Sequence, residues 1–173
     1  MLIADRKGLS AISYQLLILN SYLITGGNHQ ERLAKASKVL QNGGTTELTN
    51  TPDLLLIRAH PSVQIRDIRA LQKFLSLKPY QAEIKTVLIP EAEKMTIPAQ
   101  NSFLKTLEEP PENSLIILCC PNKEQLLPTI ISRCQLIKLP PKSEIEVNKS
   151  LITNYSLLIT KILKSGAGEK LQP

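Results

Sequence analysis

Residues 94–134 read KMTIPAQNSFLKTLEEPPENSLIILCCPNKEQLLPTIISRC, and the order of elements along this stretch decides the fold. Ile97, Phe103, Leu104 and Leu107 recur at helical spacing, which predicts a helix with one apolar face. Thr96 stands where it caps the start, and Pro98 fits a first turn whose amides have no intrahelical partner. Pro110-Pro111 ends the helix, because the residue before a proline is pushed out of the α region. SLIILCC is then a short unbroken apolar run of the kind a fully buried parallel strand shows. A loop, a short helix and Arg133, set between Ser132 and Cys134, lead into a last strand. Glu108 and Glu109 fall at the helix C-terminus, where the macrodipole disfavours anions. From the residues alone, the plain reading is a solvated helix end and an arginine that caps carbonyls or pairs with Glu108 or Glu109.

Outward from this stretch the pattern alternates. Ser10 is placed to cap a short helix through Asn20, SYLIT is a compact strand, and Gly26-Gly27 breaks it. Leu33, Ala36, Ser37 and Leu40 suggest a helix that Gly43-Gly44 stops. A strand over 53–57, a helix carrying Ile65, Ile68, Leu71 and Leu75 that Lys78-Pro79 closes, and strands over 86–89, 115–119 and 135–139 follow. Strands alternating with helices predict a parallel sheet covered on both faces. Pro140-Pro141 marks a linker, dividing residues 1–140 from 141–173. In the second part Ser143 and Glu146 form a capping box, and Ile145, Leu151, Ile152, Tyr155, Leu158, Ile159, Ile162 and Leu163 form one long apolar helix stripe. Gly166 is the natural end of that helix, and GAGEKLQP reads as a frayed tail.

Composition narrows the class. The 173 residues suit one domain with a real core, at 42% hydrophobic and 21% charged content. With no tryptophan and 3% aromatics, that core is aliphatic. Asp5, Arg6 and Lys7 come too early for a secretory leader, and Asn20 and Ser21 interrupt the longest apolar run, so neither export nor a membrane span is expected. Cys119, Cys120 and Cys134 lack C-x-x-C spacing and read as buried reduced thiols of a cytoplasmic protein, with no metal site. The net charge of +6 permits nucleic-acid contact without demanding it. Lys73, Lys78 and Lys105 are candidate phosphate contacts, with solvated lysines as the default, and His29 and His60 read as loop histidines.

The wording of the central stretch is more particular than its composition. Asn101, Phe103, Leu104, Lys105, Leu107, Glu108, Glu109, Pro110 and Pro111, followed by Ser132, Arg133 and Cys134, resemble the N-x-L-L-K-x-L-E-E-P-P and S-R-C motifs of the bacterial DNA polymerase III clamp-loader subunits. These are the AAA+ family of gamma/tau and delta-prime. The resemblance continues through PDLLLI, IRDIRALQKFLSLKPY and KTVLIPEAEKM, covering most of residues 52–139. It implies a three-layer, P-loop NTPase-like α/β core whose five-stranded parallel sheet has the first strand between the fourth and fifth. It also implies that residues 141–173 are a shortened lid helix and tail, without the collar domain that follows in the family. The four-cysteine zinc module of many bacterial relatives is missing, QNGGTTELTNT standing in its place.

Set against the family's nucleotide motifs, this chain departs at each. A phosphate loop needs glycines to wrap phosphate in backbone amides, a lysine for charge, and a Ser or Thr for Mg²⁺. Here TGGNHQERLAKA, matched without gaps, keeps Gly26 as the first glycine, with Gly27 beside it in the degenerate site, but Glu31 replaces the last glycine, Arg32 the lysine and Leu33 the hydroxyl residue. The Asp-Glu pair that orients Mg²⁺ and water becomes Pro90 and Glu91, and the sensor position falls on Cys120. No cofactor is expected. What the resemblance preserves is Arg133, which in related rings reaches the nucleotide of the next subunit. The expectation is therefore a delta-prime-like, non-catalytic clamp-loader subunit for DNA replication, supplying Arg133 in trans as an arginine finger. Its partners would be gamma/tau and delta subunits, with primed DNA and the sliding clamp engaged indirectly and no membrane. A divergent ATP-binding AAA+ ATPase and a basic DNA-binding accessory protein stay open as alternatives.

Overall fold

The computed structural model describes residues 20–42 and 51–140. The helix expected from Ser10, the stop at Gly43-Gly44 and everything expected beyond Pro140 (the Ser143–Glu146 capping box, the apolar stripe, the tail and the second unit 141–173) lie outside the described residues. Within them the chain runs β1 (Ser21–Thr25), α1 (His29–Asn42), β2 (Leu54–Leu56), α2 (Ile65–Leu75), β3 (Lys85–Ile89), α3 (Ile97–Glu108), β4 (Ser114–Cys120), α4 (Pro128–Ile131) and β5 (Gln135–Lys138). Single 3-10 turns occupy Ala92–Lys94 and Lys123–Gln125.

All strand pairs are parallel, and the sheet order is β2-β3-β4-β1-β5. β1 thus lies between β4 and β5, as the family resemblance implies. Strand alternation splits SLIILCC between two cores. Ile116, Leu118 and Cys120 face the layer of α2 and α3, meeting Ile68, Leu71, Leu75, Ala99, Phe103 and Leu107. Leu115, Ile117 and Cys119 face α1, meeting Leu33, Ala36 and Leu40. Helices on both faces keep every residue of β4 buried, which is why its sequence is an unbroken apolar run.

Helix starts follow the capping chemistry. The Ala99 amide donates to Thr96 Oγ1 at 3.3 Å, with Pro98 in the first turn. Thr96→Ala is expected to cost about 1 kcal/mol. A urea titration reads this as a lower midpoint at an unchanged m-value.

Several boundaries differ from the sequence expectation. The core face of α3 is Ala99, Phe103 and Leu107, four residues apart, whereas Ile97 is 56% exposed. Helix α2 ends at Leu75, not at Lys78-Pro79. The Ser76 hydroxyl donates to the Lys73 carbonyl at 2.8 Å, and the chain then turns back to wrap a buried carboxylate. That carboxylate belongs to Asp53, 1% exposed at the entry to β2. It accepts the amides of Tyr80 (2.8 Å), Gln81 (2.6 Å) and Ala82 (2.8 Å), and pairs with Lys85 Nζ at 3.6 Å. Lys85 Nζ in turn lies 4.0 Å from the centre of the Phe74 ring. One acid therefore fixes the 76–84 loop, the start of β3 and the last turn of α2.

Candidate functional site

Two regions carry the residues singled out by sequence. The first is the turn from β1 into α1. Gly26 and Gly27 adopt positive φ (78° and 55°), a conformation that L side chains rarely take. A Cβ at Gly26 would also lie 2.6 Å from the Leu139 carbonyl oxygen. The turn is tied to the ends of two strands, since the Gly26 amide donates to the Pro121 carbonyl at 3.1 Å and the Leu139 amide to Thr25 at 2.7 Å.

Sequence reading missed the role of Asn28. Its Oδ1 accepts the Glu31 amide at 2.9 Å, while Glu31 Oε2 accepts the Asn28 amide at 2.8 Å and Oε1 accepts Asn28 Nδ2 at 2.8 Å. This is a reciprocal helix cap, and its signal is the Asn-x-x-Glu spacing before an apolar run. Arg32 is only 6% exposed, and its Nη1 donates to the Gly26 (3.0 Å) and Gly27 (2.9 Å) carbonyls. Leu33 is buried in the α1 face. A phosphate with Mg²⁺ would need the helix-start amide, a free cation and a hydroxyl oxygen. The Asn28 amide already serves a carboxylate, the guanidinium serves two carbonyls, and leucine has no oxygen to give. The polar groups at this helix start are thus engaged within the turn itself.

The flanking positions are similarly engaged. Pro90 is buried, and Glu91 Oε1 is ion-paired with Lys94 Nζ at 2.5 Å. Cys120 is buried at the end of β4, and its thiol donates to the Asn122 carbonyl at 2.8 Å. Burial pushes the Cys120 thiol up to about 11, and those of Cys119 and Cys134 up to about 12. All three are free thiols, though Cys134 is only half-buried.

The second region is the corner between α4 and β5. Leu127 and Pro128 open α4, and the buried Gln100 side chain holds this start: its Oε1 accepts the Leu127 amide (2.9 Å) while its Nε2 donates to the Met95 carbonyl (3.1 Å). Gln100 was not singled out from sequence, where a mid-helix glutamine gives no sign of a buried bridge. Arg133 closes the turn after α4. Its Nη1 donates to the Thr129 carbonyl at 2.9 Å and lies 3.4 Å from Ser132 Oγ, and its Nη2 meets Glu108 Oε1 at 2.6 Å. The arginine side chain remains 32% exposed and Glu108 48%. Ser132 is exposed, and Cys134 packs against the α2–α3 core.

The remaining residues are dispersed. Asn101, Lys105 and Glu109 are exposed on α3 and its end, with Lys105 and Glu109 beside a shallow groove against α2. Lys73 and Lys78 are exposed, His29 is the exposed first residue of α1, and His60 is exposed in a loop. Among the described residues no helix is long and apolar enough to cross a membrane.

Comparison with known proteins bears on the family and the fold. Residues 7–143 match the family described as DNA polymerase III, delta subunit. The chain is 32% identical over 152 residues to the DNA polymerase III subunit delta' of Bacillus subtilis, covering 87% of this chain and 45% of that protein. It is also 32% identical over 111 residues to the tau/gamma subunit of Haemophilus influenzae, covering 64% of this chain and 16% of that one. The chain thus spans less than half the length of these relatives. The crystal structure of a gamma subunit-related protein from Thermotoga maritima shares the fold, with a TM-score of 0.63 at 24% identity over 94% of this chain and 63% of that one. The chain belongs to the DNA polymerase III delta subunit family, as a delta-prime-like member built on the AAA+ α/β core.

Proposed function

We propose that this chain acts as a clamp-loader subunit without a working ATP site of its own, and that it supplies Arg133 to ATP held by a neighbouring gamma/tau-type subunit. The carrying observation is a contrast between the two regions. The glycine turn is closed on itself by Asn28, Glu31 and Arg32, whereas Arg133 stands part-exposed at a corner. A guanidinium there would stabilise charge that builds on the transferring phosphoryl group. Association with gamma/tau and delta, and indirect action on the sliding clamp and primed DNA in the cytoplasm, follow from the same reading.

The full chain mixed with the gamma/tau subunit of its own source should co-elute with it on gel filtration and raise its ATPase rate. Co-elution with no change in rate argues against the finger. Strong, salt-sensitive DNA binding by the chain alone, with no partner association, favours an accessory DNA-binding role instead.

A further inference from the structure

An exposed ion pair typically contributes roughly 0 to 1 kcal/mol. A carboxylate in the last turn of a helix costs a few tenths to about 1 kcal/mol against the macrodipole. Glu108 is the last residue of α3 and has such a pair with Arg133, so the two effects nearly cancel and stability does not explain the contact. Its geometry does more. Thr129, on α4, holds Nη1 of the guanidinium, and Glu108, on α3, holds Nη2. Two anchors on separate elements set the plane of the group. Of its five N–H donors, Nε–H and one Nη2–H are then left without a partner among the described residues. Gln100 links the same two elements from inside, through the Leu127 amide at the start of α4.

We infer that Glu108 is a positioning residue for Arg133, fixing the guanidinium plane so that its remaining donors meet a phosphate oxygen on a neighbouring subunit. This rests on the finger reading above and adds a residue to it. An arginine that is already ordered loses less rotamer freedom when the phosphate arrives. Because Glu108 acts on orientation, its removal is felt in turnover and not in ATP affinity.

The test is steady-state ATPase of the gamma/tau subunit saturated with full-length wild type, Glu108→Gln, Arg133→Ala, the double variant, or Glu112→Gln as a control carboxylate. Glu108→Gln should lower kcat about tenfold or more with KM for ATP unchanged. It should add nothing in the Arg133→Ala background, and Glu112→Gln should match wild type. If Arg133→Ala is slow but Glu108→Gln runs at the wild-type rate or faster, the positioning role is wrong and the finger survives. If Arg133→Ala itself runs at the wild-type rate, both fall. A second readout guards against misfolding: in ¹⁵N spectra of the arginine side chains, Glu108→Gln should abolish the slowed Nη exchange of Arg133, and unchanged exchange overturns the inference.

Discussion

Full-length Arg133→Ala protein is expected to bind its ATP-holding neighbour normally while the chain-dependent ATPase falls by roughly 10³ to 10⁵, the range of measured arginine fingers. The loss should appear in kcat, with KM for ATP nearly unmoved, because the interaction forms as charge develops on the phosphoryl oxygens. Arg133→Lys should recover little. A lysine presents one compact ammonium, and it cannot keep the Thr129 carbonyl and the Glu108 carboxylate while reaching a third acceptor. The thermal midpoint should move by only a few degrees, since the pair is part-exposed on both sides and worth at most about 1 kcal/mol. A large loss of stability together with activity would mean that Arg133 is a structural cap, as its bonds to Thr129 and Glu108 taken alone suggest.

The second large effect concerns the fold. Asp53→Ala should destabilise the protein by about 3 to 5 kcal/mol, the usual cost of leaving one partner of a buried ion pair alone. Lys85 would remain buried with only the Phe74 ring beside it, and the amides of Tyr80, Gln81 and Ala82 would lose their acceptor. Differential scanning calorimetry should show the midpoint falling by about 10 °C. The effect has a defined pH dependence. Burial alone would raise the Asp53 carboxyl, but the Ala82, Gln81 and Tyr80 amides and Lys85 together hold it below the usual range. A depressed folded-state value means the contribution is fully present above the unfolded carboxylate pKa of about 3.9 and is lost as pH falls through the lower folded value. The gap between wild type and Asp53→Ala should therefore be constant from pH 6 to 8 and narrow only in acid. A gap that widens in acid contradicts the ion-pair explanation.

Much of the fold was legible because its signals are local. SYLIT, KTVLI and SLIILCC are apolar runs bounded by glycine, proline or polar turns, and each became a fully buried strand. The features that escaped reading join residues far apart in sequence. Asp53 meets amides 27 to 29 positions away, and that loop, rather than Pro79, is what cuts α2 short. The Gln100–Leu127 bond spans 27 positions. At the site, Ser132, Arg133 and Cys134 were recognisable as a motif, whereas the particular choice of Glu108 over Glu109 as partner depends on how α3 and α4 pack. The glycine turn was legible in a different sense. Its departures at Glu31, Arg32 and Leu33 could be read as residue types, but that Glu31 and Asn28 cap each other needs the backbone of the turn to be known.

The proposed division of labour between this chain and a neighbouring subunit rests on the closed β1–α1 turn, and ATP affinity addresses it directly. In equilibrium dialysis of the isolated chain against labelled ATP with Mg²⁺, no saturable binding is expected at micromolar nucleotide, because the Asn28 amide already serves the Glu31 carboxylate and the Arg32 guanidinium already serves the Gly26 and Gly27 carbonyls. Saturable micromolar binding that Arg32→Ala abolishes would place a nucleotide in that turn and contradict this division.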